Sequence, residues 1–320
     1  AIGQSAAAFG ALAPSSGTGD CTQDLAAAEQ SGMAFAETIG VRGTDARAAA
    51  ALRNKPASEL QLAGRGGDSK AGGVFDPAKA ARGAWDTSYA ICDGYIVPAL
   101  GPEVYARREH HDVPLLTGTT ANEGATMPPA ASLEAFLAQS RAEFGDRMDQ
   151  FLHHYPAADD AEAGEANKTS IGDRNFVAQN WAWARAHAVS GQAKVFYYRH
   201  ERRPPFPDGA MYAEAAGVQL GAFHGSEIPY IFGTFRARPW PWTDRDRTLA
   251  NAMSRYWINF AAHGDPNGDG LPRWPTFDPE TAAVMHFGDE PRMGPVPNRD
   301  RLRFWSAHYE RLRTQRQGGR

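Results

Sequence analysis

VPLLTGTTANEGA, residues 113–125, is the stretch on which the fold turns. Its first eight residues are an apolar and Thr-rich run with no helical periodicity, bounded by Asp112 and by a polar turn, and they read as a buried strand over 113–120. The turn that follows carries Glu123, and strand ends are where an α/β sheet presents polar side chains to a site. Two further runs, KVFYYRHE at 194–201 and VMHFG at 284–288, read the same way. Helical patterns lie between them. Ser132 to Phe144 spaces Leu133, Phe136, Leu137 and Phe144, and Asp173 to Val189 holds Phe176, Val177, Trp181 and Trp183. Residues 246–263 place Leu249, Met253, Tyr256, Trp257 and Phe260 at helical intervals before stopping at Gly264. A last helix uses Leu302, Trp305, Tyr309 and Leu312. Upstream, DLAAAEQSGMAFAETIG at 24–40 predicts an Ala-rich helix with Asp24 as its cap, while 13–20 and the Gly-rich 64–73 predict loops. Strands separated by long helical segments predict an α/β class with a largely parallel sheet.

The chain of 320 residues is 42% hydrophobic and 22% charged, the balance of a globular protein. A net charge of -4 provides no global attraction to phosphate backbones, so nucleic acid is not an expected partner. No run approaches the roughly 18 apolar residues of a membrane span. The first residues, AIGQSAAAFG, have neither an initiator Met nor the order of a leader peptide, which leaves localisation open, a secreted or periplasmic site included. Cys21 and Cys92 are compatible with one disulfide in an oxidising compartment, but with only two cysteines free thiols are the expectation.

His224 lies in GAFHGSEIPYIFG, residues 221–233, on a loop flanked by Gly221 and Gly225. Its position after Glu123 matches the chain order nucleophile, acid, histidine of triads built on α/β sheets. Other candidates have plainer readings. DPNGDG at 265–270 mimics the start of a calcium loop, but Thr276 stands where a bidentate Glu is required, so it predicts a turn. The pairs His110-His111 and His153-His154 predict solvated surface and no metal site, because adjacent side chains diverge. Glu227 reads as structural, Phe176, Trp181 and Trp183 as core, and Arg202-Arg203 as an exposed loop.

Together, residues 113–125, 221–233 and YWINFAAHGDPNGDGLPRWP at 256–275, with CDGYIVP at 92–98, resemble four signature segments of the type-B carboxylesterase family, which includes the cholinesterases. They occur in the family's order and cover nearly the whole chain. The resemblance implies an α/β-hydrolase fold, with residues 1–320 as the C-terminal part of the domain. It also implies that Glu123 is the triad acid and His224 the base of a carboxylic ester hydrolase that needs no metal or organic cofactor and takes a small-molecule ester.

Ser5 admits two alignments. GQSAA at 3–7 is a degenerate nucleophile elbow, with Ala7 where GxSxG has glycine and too few residues before Gly3 for a strand. Alternatively AIGQSAAAF, followed by AAAEQSGMAFAETIG, resembles a family segment downstream of the nucleophile, in which this serine hydrogen-bonds the triad acid; motif and spacing favour this second alignment. It implies that the oxyanion loop and the elbow are missing from the chain, since GRGG at 64–67 follows no strand, and that the chain alone is catalytically incomplete and, with strands missing, poorly soluble. The alternative class is a non-catalytic, cholinesterase-like interaction module.

Overall fold

The computed structural model describes residues 1–5, 23–64, 91–205 and 220–318. The loops expected at 13–20 and beyond Gly64, and Cys21, lie outside them. The chain divides into two units, residues 1–9 with 102–320 and residues 10–101.

β1 (Ile2–Gln4) belongs to the larger unit. The smaller one contains β2 (Gln23–Asp24), α1 (Leu25–Thr38), α2 (Ala46–Arg53), α3 (Ala57–Gly64) and β3 (Ile91–Cys92), with β2 and β3 paired in parallel. Asp24 is the last residue of β2, directly before α1. α2 is capped by Asp45, whose carboxylate accepts the Ala48 N–H at 2.9 Å. Ala36, Ile39, Val41 and Ala48 form this unit's small core. Cys92 is disulfide-bonded, which corrects the expectation of free thiols. In the CDGYIVP turn Asp93 accepts the N–H groups of Tyr95, Ile96 and Val97 at 2.9 to 3.0 Å, and these bonds hold its carboxyl below the usual range.

The chain continues through α4 (Gly101–Ala106), β4 (Leu115–Thr120), α5 (Leu133–Phe144), α6 (Met148–His154) and α7 (Asp160–Gly172). A π-helical turn (Asp173–Val177) leads into α8 (Ala178–Ser190) and β5 (Val195–His200). Then come α9 (Ile228–Phe232), α10 (Asp244–His263), β6 (Ala283–Phe287), β7 (Pro291–Pro295) and α11 (Arg299–Gly318). The sheet order is β1-β4-β5-β6-β7; the first four strands are parallel and β7 is antiparallel to β6. Every residue of β4 is buried, as a central strand covered on both faces requires.

β1 overturns one expectation. Two residues before Gly3 looked too few for a strand, yet Ile2, Gly3 and Gln4 align in parallel with Leu116, Thr117 and Gly118. The ladder offered by a buried neighbour outweighs the weak local propensity of a Gly-containing segment.

α10 shows how local signals and packing agree. Thr243 and Asp246 form a reciprocal capping box, and the helix buries Leu249, Met253, Tyr256, Trp257 and Phe260 before ending at Gly264. These residues pack with Phe196, Tyr198, Trp274 and Phe287 in one core cluster. A second aromatic group stacks Phe144 on Phe151, ring centroids 4.3 Å apart, with Phe304 and Trp305 from α11.

Candidate active site

β4 ends at Thr120, and the next residues bind two neighbouring segments. The Ala121 N–H donates to the His200 carbonyl at 2.8 Å, extending the sheet by one rung. Asn122 then clamps the histidine loop: its N–H donates to Ala222 O at 2.9 Å and its Oδ1 accepts the Ala222 N–H at 3.0 Å. Gly221 makes this approach possible, because it adopts φ +60° and a Cβ there would lie 2.2 Å from Asn122 Oδ1. On the other side of the turn, a Cβ at Gly124 would sit 1.8 Å from the Lys168 carbonyl oxygen and one at Gly172 2.4 Å from the Gly124 nitrogen. The acid turn is thus wedged backbone to backbone against α7.

This frame holds Glu123 at 2% exposure. Its Oε1 accepts the Ser5 hydroxyl at 2.6 Å and the Thr120 N–H at 2.6 Å, and Oε2 lies 2.6 Å from His224 Nδ1. A buried carboxylate with three short, charge-assisted partners is fixed in place and orients the imidazole. The bond to Glu123 raises the His224 pKa above its ordinary value against the opposing effect of burial. The side chain remains 43% exposed, and among the described residues His224 is bonded through Nδ1 to Glu123 and to no serine hydroxyl.

Ser5 sits on the acid and not on the base. It follows β1 with φ +47°, unusual for a residue with a side chain, and its N–H donates to Gly118 O at 2.8 Å. The structure therefore brings Ser5, Glu123 and His224 together in a row with Glu123 at the centre.

Phe176 is placed differently from the core position expected of it. It stacks on the His224 ring, centroids 4.4 Å apart and planes 29° from parallel. The π-helical turn, in which the Ala178 N–H reaches back to Asp173 O, carries it. An extra residue in one helical turn rotates the following side chains, a device frequent at functional sites. Trp181 is buried as expected, and Trp183 donates to the Tyr105 hydroxyl at 2.7 Å.

Glu227, the other carboxylate nearby, is equally buried; it accepts from Gln4 Nε2 at 3.3 Å, and burial pushes its carboxyl up to about 7. It makes no hydrogen bond to His224. Arg202 is not an exposed loop residue: it pairs with fully buried Asp246 at 2.8 Å. DPNGDG is a turn in which Asp265 and Asn267 bond each other and Asn267 bonds Trp274. His153 is exposed, whereas both ring nitrogens of His110 are buried, against the expectation of a solvated pair.

The profile of the Carboxylesterase family matches residues 1–305. The chain belongs to the carboxylesterase family. Its mostly parallel sheet, flanked by helices, is the family's α/β-hydrolase fold. Among curated relatives the chain is similar to the acylcarnitine hydrolase of Rattus norvegicus, 26% identical over 242 residues, which are 68% of this chain and 41% of that protein. The cocaine esterase of Homo sapiens is 26% identical over 236 residues, 67% of this chain and 40% of that one. The fumonisin B1 esterase of Sphingopyxis macrogoltabida is 28% identical over 211 residues, 62% and 37% respectively. The chain thus spans about two fifths of the length of these relatives. Among the described residues no helix is long and apolar enough to cross a membrane.

Asn122 and Phe176 are site residues that sequence reading did not single out for these roles. The signal for Asn122 was its place directly before Glu123, in a turn where each neighbour has a backbone task. Phe176 left none, because the π-helical turn that aims it has no local sequence signature.

Proposed function

We propose that this chain contributes the base and the acid of a serine-type carboxylic ester hydrolase that works through an acyl-enzyme. The observation that carries the reading is the one-sided wiring of His224, held at Nδ1 by a saturated buried carboxylate and more than two fifths exposed beyond it. An imidazole so held takes the proton of a serine hydroxyl at Nε2 as the serine oxygen attacks the ester carbonyl. It returns that proton to the departing alcohol as the tetrahedral intermediate collapses to the acyl-enzyme. A water molecule, deprotonated by the same nitrogen, then releases the acid. Glu123 keeps the productive tautomer and stabilises the imidazolium without touching substrate. Ser5 fixes Glu123, which leaves the nucleophile and the oxyanion donors to a family segment not found among these residues.

The relatives are named for three different compounds, acylcarnitine, cocaine and fumonisin B1, so their names support the ester class and no single substrate. An interaction module has no use for a base oriented in this way, which argues against the binding alternative. Hydrolysis of p-nitrophenyl acetate by the chain is the test. The expected rate is at the imidazole background and unaffected by Ser5→Ala; an enzyme-like rate abolished by Ser5→Ala would make Ser5 the nucleophile and overturn the assignment.

A further inference from the structure

His110, Asp112 and His187 gather at the amino end of β4, the opposite end from Glu123, with one ligand atom from each within 4.8 Å of the others. No step of ester hydrolysis uses them. Tyr105 stacks on the His110 ring at 4.1 Å, and His110 meets His187 edge to face at 5.2 Å, so both imidazoles are held by packing. His110 is the anomaly of the group. Both of its ring nitrogens are buried and neither has a hydrogen-bond partner, an arrangement that disfavours folding unless something supplies one.

We propose that these three residues bind a divalent cation of borderline softness, zinc by ligand type. Two imidazole nitrogens and one carboxylate oxygen are a zinc donor set, with water completing the shell. Asp112 is 38% exposed and provides the entry path. Its carboxylate is already fixed by the N–H groups of Gln192 and Ala193 at 2.8 and 3.0 Å, so it is oriented before any ion arrives.

His187 supplies the switch in proton placement that such a site needs. Its Nε2 lies 2.9 Å from Val113 O and 3.8 Å from Asp112 Oδ1, and its Nδ1 lies 3.0 Å from the Tyr105 hydroxyl. Without metal, Nε2–H donates to Val113 and the tyrosine donates to Nδ1. On binding, Nε2 gives up its bond to Val113 and ligates, while the proton sits on Nδ1 and donates to the tyrosine oxygen. A ligating histidine characteristically has such an acceptor behind it. The ion would join the C-terminal turn of α8 to the segment entering β4, and its role would be structural.

The test is a titration of the chain with Zn²⁺ alone at neutral pH, in competition with a chromogenic chelator, accompanied by thermal melts. One site per chain is expected, with a rise in Tm on loading. Either His110→Ala or Asp112→Asn should weaken binding by about 100-fold or more, since loss of an outer-shell partner alone costs 10- to 100-fold. Changing both His153 and His154 to Ala should leave the site intact. Gln192 and Ala193 bond different oxygens of Asp112, so Asp112→Asn keeps one of these two acceptors at unchanged side-chain size, and it serves if His110→Ala does not fold. Absence of binding, affinity unchanged in both ligand variants, or loss of the site with the His153 and His154 substitutions would each overturn the proposal.

Discussion

Among the described residues two histidine–glutamate pairs have nearly the same geometry, His224 with Glu123 and His286 with Glu201, at 2.6 and 2.8 Å through Nδ1. They differ at the other nitrogen. His286 lies 3.1 Å from the Pro295 carbonyl through Nε2 and its side chain is only 4% exposed, so both ring nitrogens are occupied. His224 is 43% exposed and is held at Nδ1 alone. The carboxylates differ in the reverse sense: Glu123 is buried and accepts three hydrogen bonds, whereas Glu201 is partly open and shared with Arg199 and Arg292. The bond from His286 holds the Glu201 carboxyl below its usual range. A bonded imidazole and carboxylate is therefore a poor criterion for a catalytic pair. On the proposed function, what sets His224 apart from the structural tie is a fixed carboxylate on one side and an open nitrogen on the other.

The largest expected effect breaks the two pairs apart. In a form of the protein that includes the nucleophile, Glu123→Gln should lower kcat on the order of 10⁴-fold by favouring the wrong tautomer. Glu201→Gln should leave kcat unchanged. Equal losses in the two variants, measured with p-nitrophenyl acetate, would remove the distinction.

Next in size is the pH dependence of stability that Glu227 creates. Folding raises its carboxyl from an ordinary 4.5 to about 7 by burial, so the folded chain holds a proton that the unfolded chain has released. That contribution is complete below 4.5 and is lost as pH rises through about 7. Glu227→Gln, which cannot ionise, should flatten the urea-unfolding free energy across this window, removing a decline of up to about 3 kcal/mol. An unchanged slope would show that the carboxyl does not hold its proton in the folded chain.

Much of this was legible in the residues, and the reasons differ element by element. The strands at 113–120, 194–201 and 284–288 and the helix ending at Gly264 announced themselves because hydrophobic period and end signals agreed. Glu123 and His224, which the fold brings to 2.6 Å of each other, were singled out through short motifs whose glycines have backbone reasons: Gly221 admits Asn122, and Gly124 meets α7. β1 was hidden because its stability comes from Leu116 to Gly118, a partner distant in sequence. His110 was misjudged because its burial comes from Tyr105 and His187, which flank it from α4 and α8.

A smaller effect sharpens the structural pair. Glu201→Gln should destabilise the fold by about 2 kcal/mol, since His286, buried between Glu201 and Pro295, loses its charged acceptor. Denaturant midpoints with an unchanged m-value are the check, and no loss would mean that the Glu201 charge, shared by His286, Arg199 and Arg292, adds nothing to this corner.

The smallest effect concerns Phe176, the ring that stacks on His224, the proposed base of the comparison. Phe176 stacks on His224, and an aromatic face favours a cation over a neutral ring by about 0.5–1 kcal/mol at a partly exposed site. Phe176→Leu preserves apolar bulk and removes the π face. The His224 pKa, followed by NMR, should therefore fall by less than about one unit. The sign carries over to stability. Because the folded pKa of His224 is raised, its contribution is complete below the ordinary value of 6.5 and is lost as pH rises through the folded value. Phe176→Leu should narrow that window from its upper end. An unchanged pKa would reduce Phe176 to packing and leave Glu123, with a smaller effect of Glu227, as the groups that raise the His224 pKa against burial.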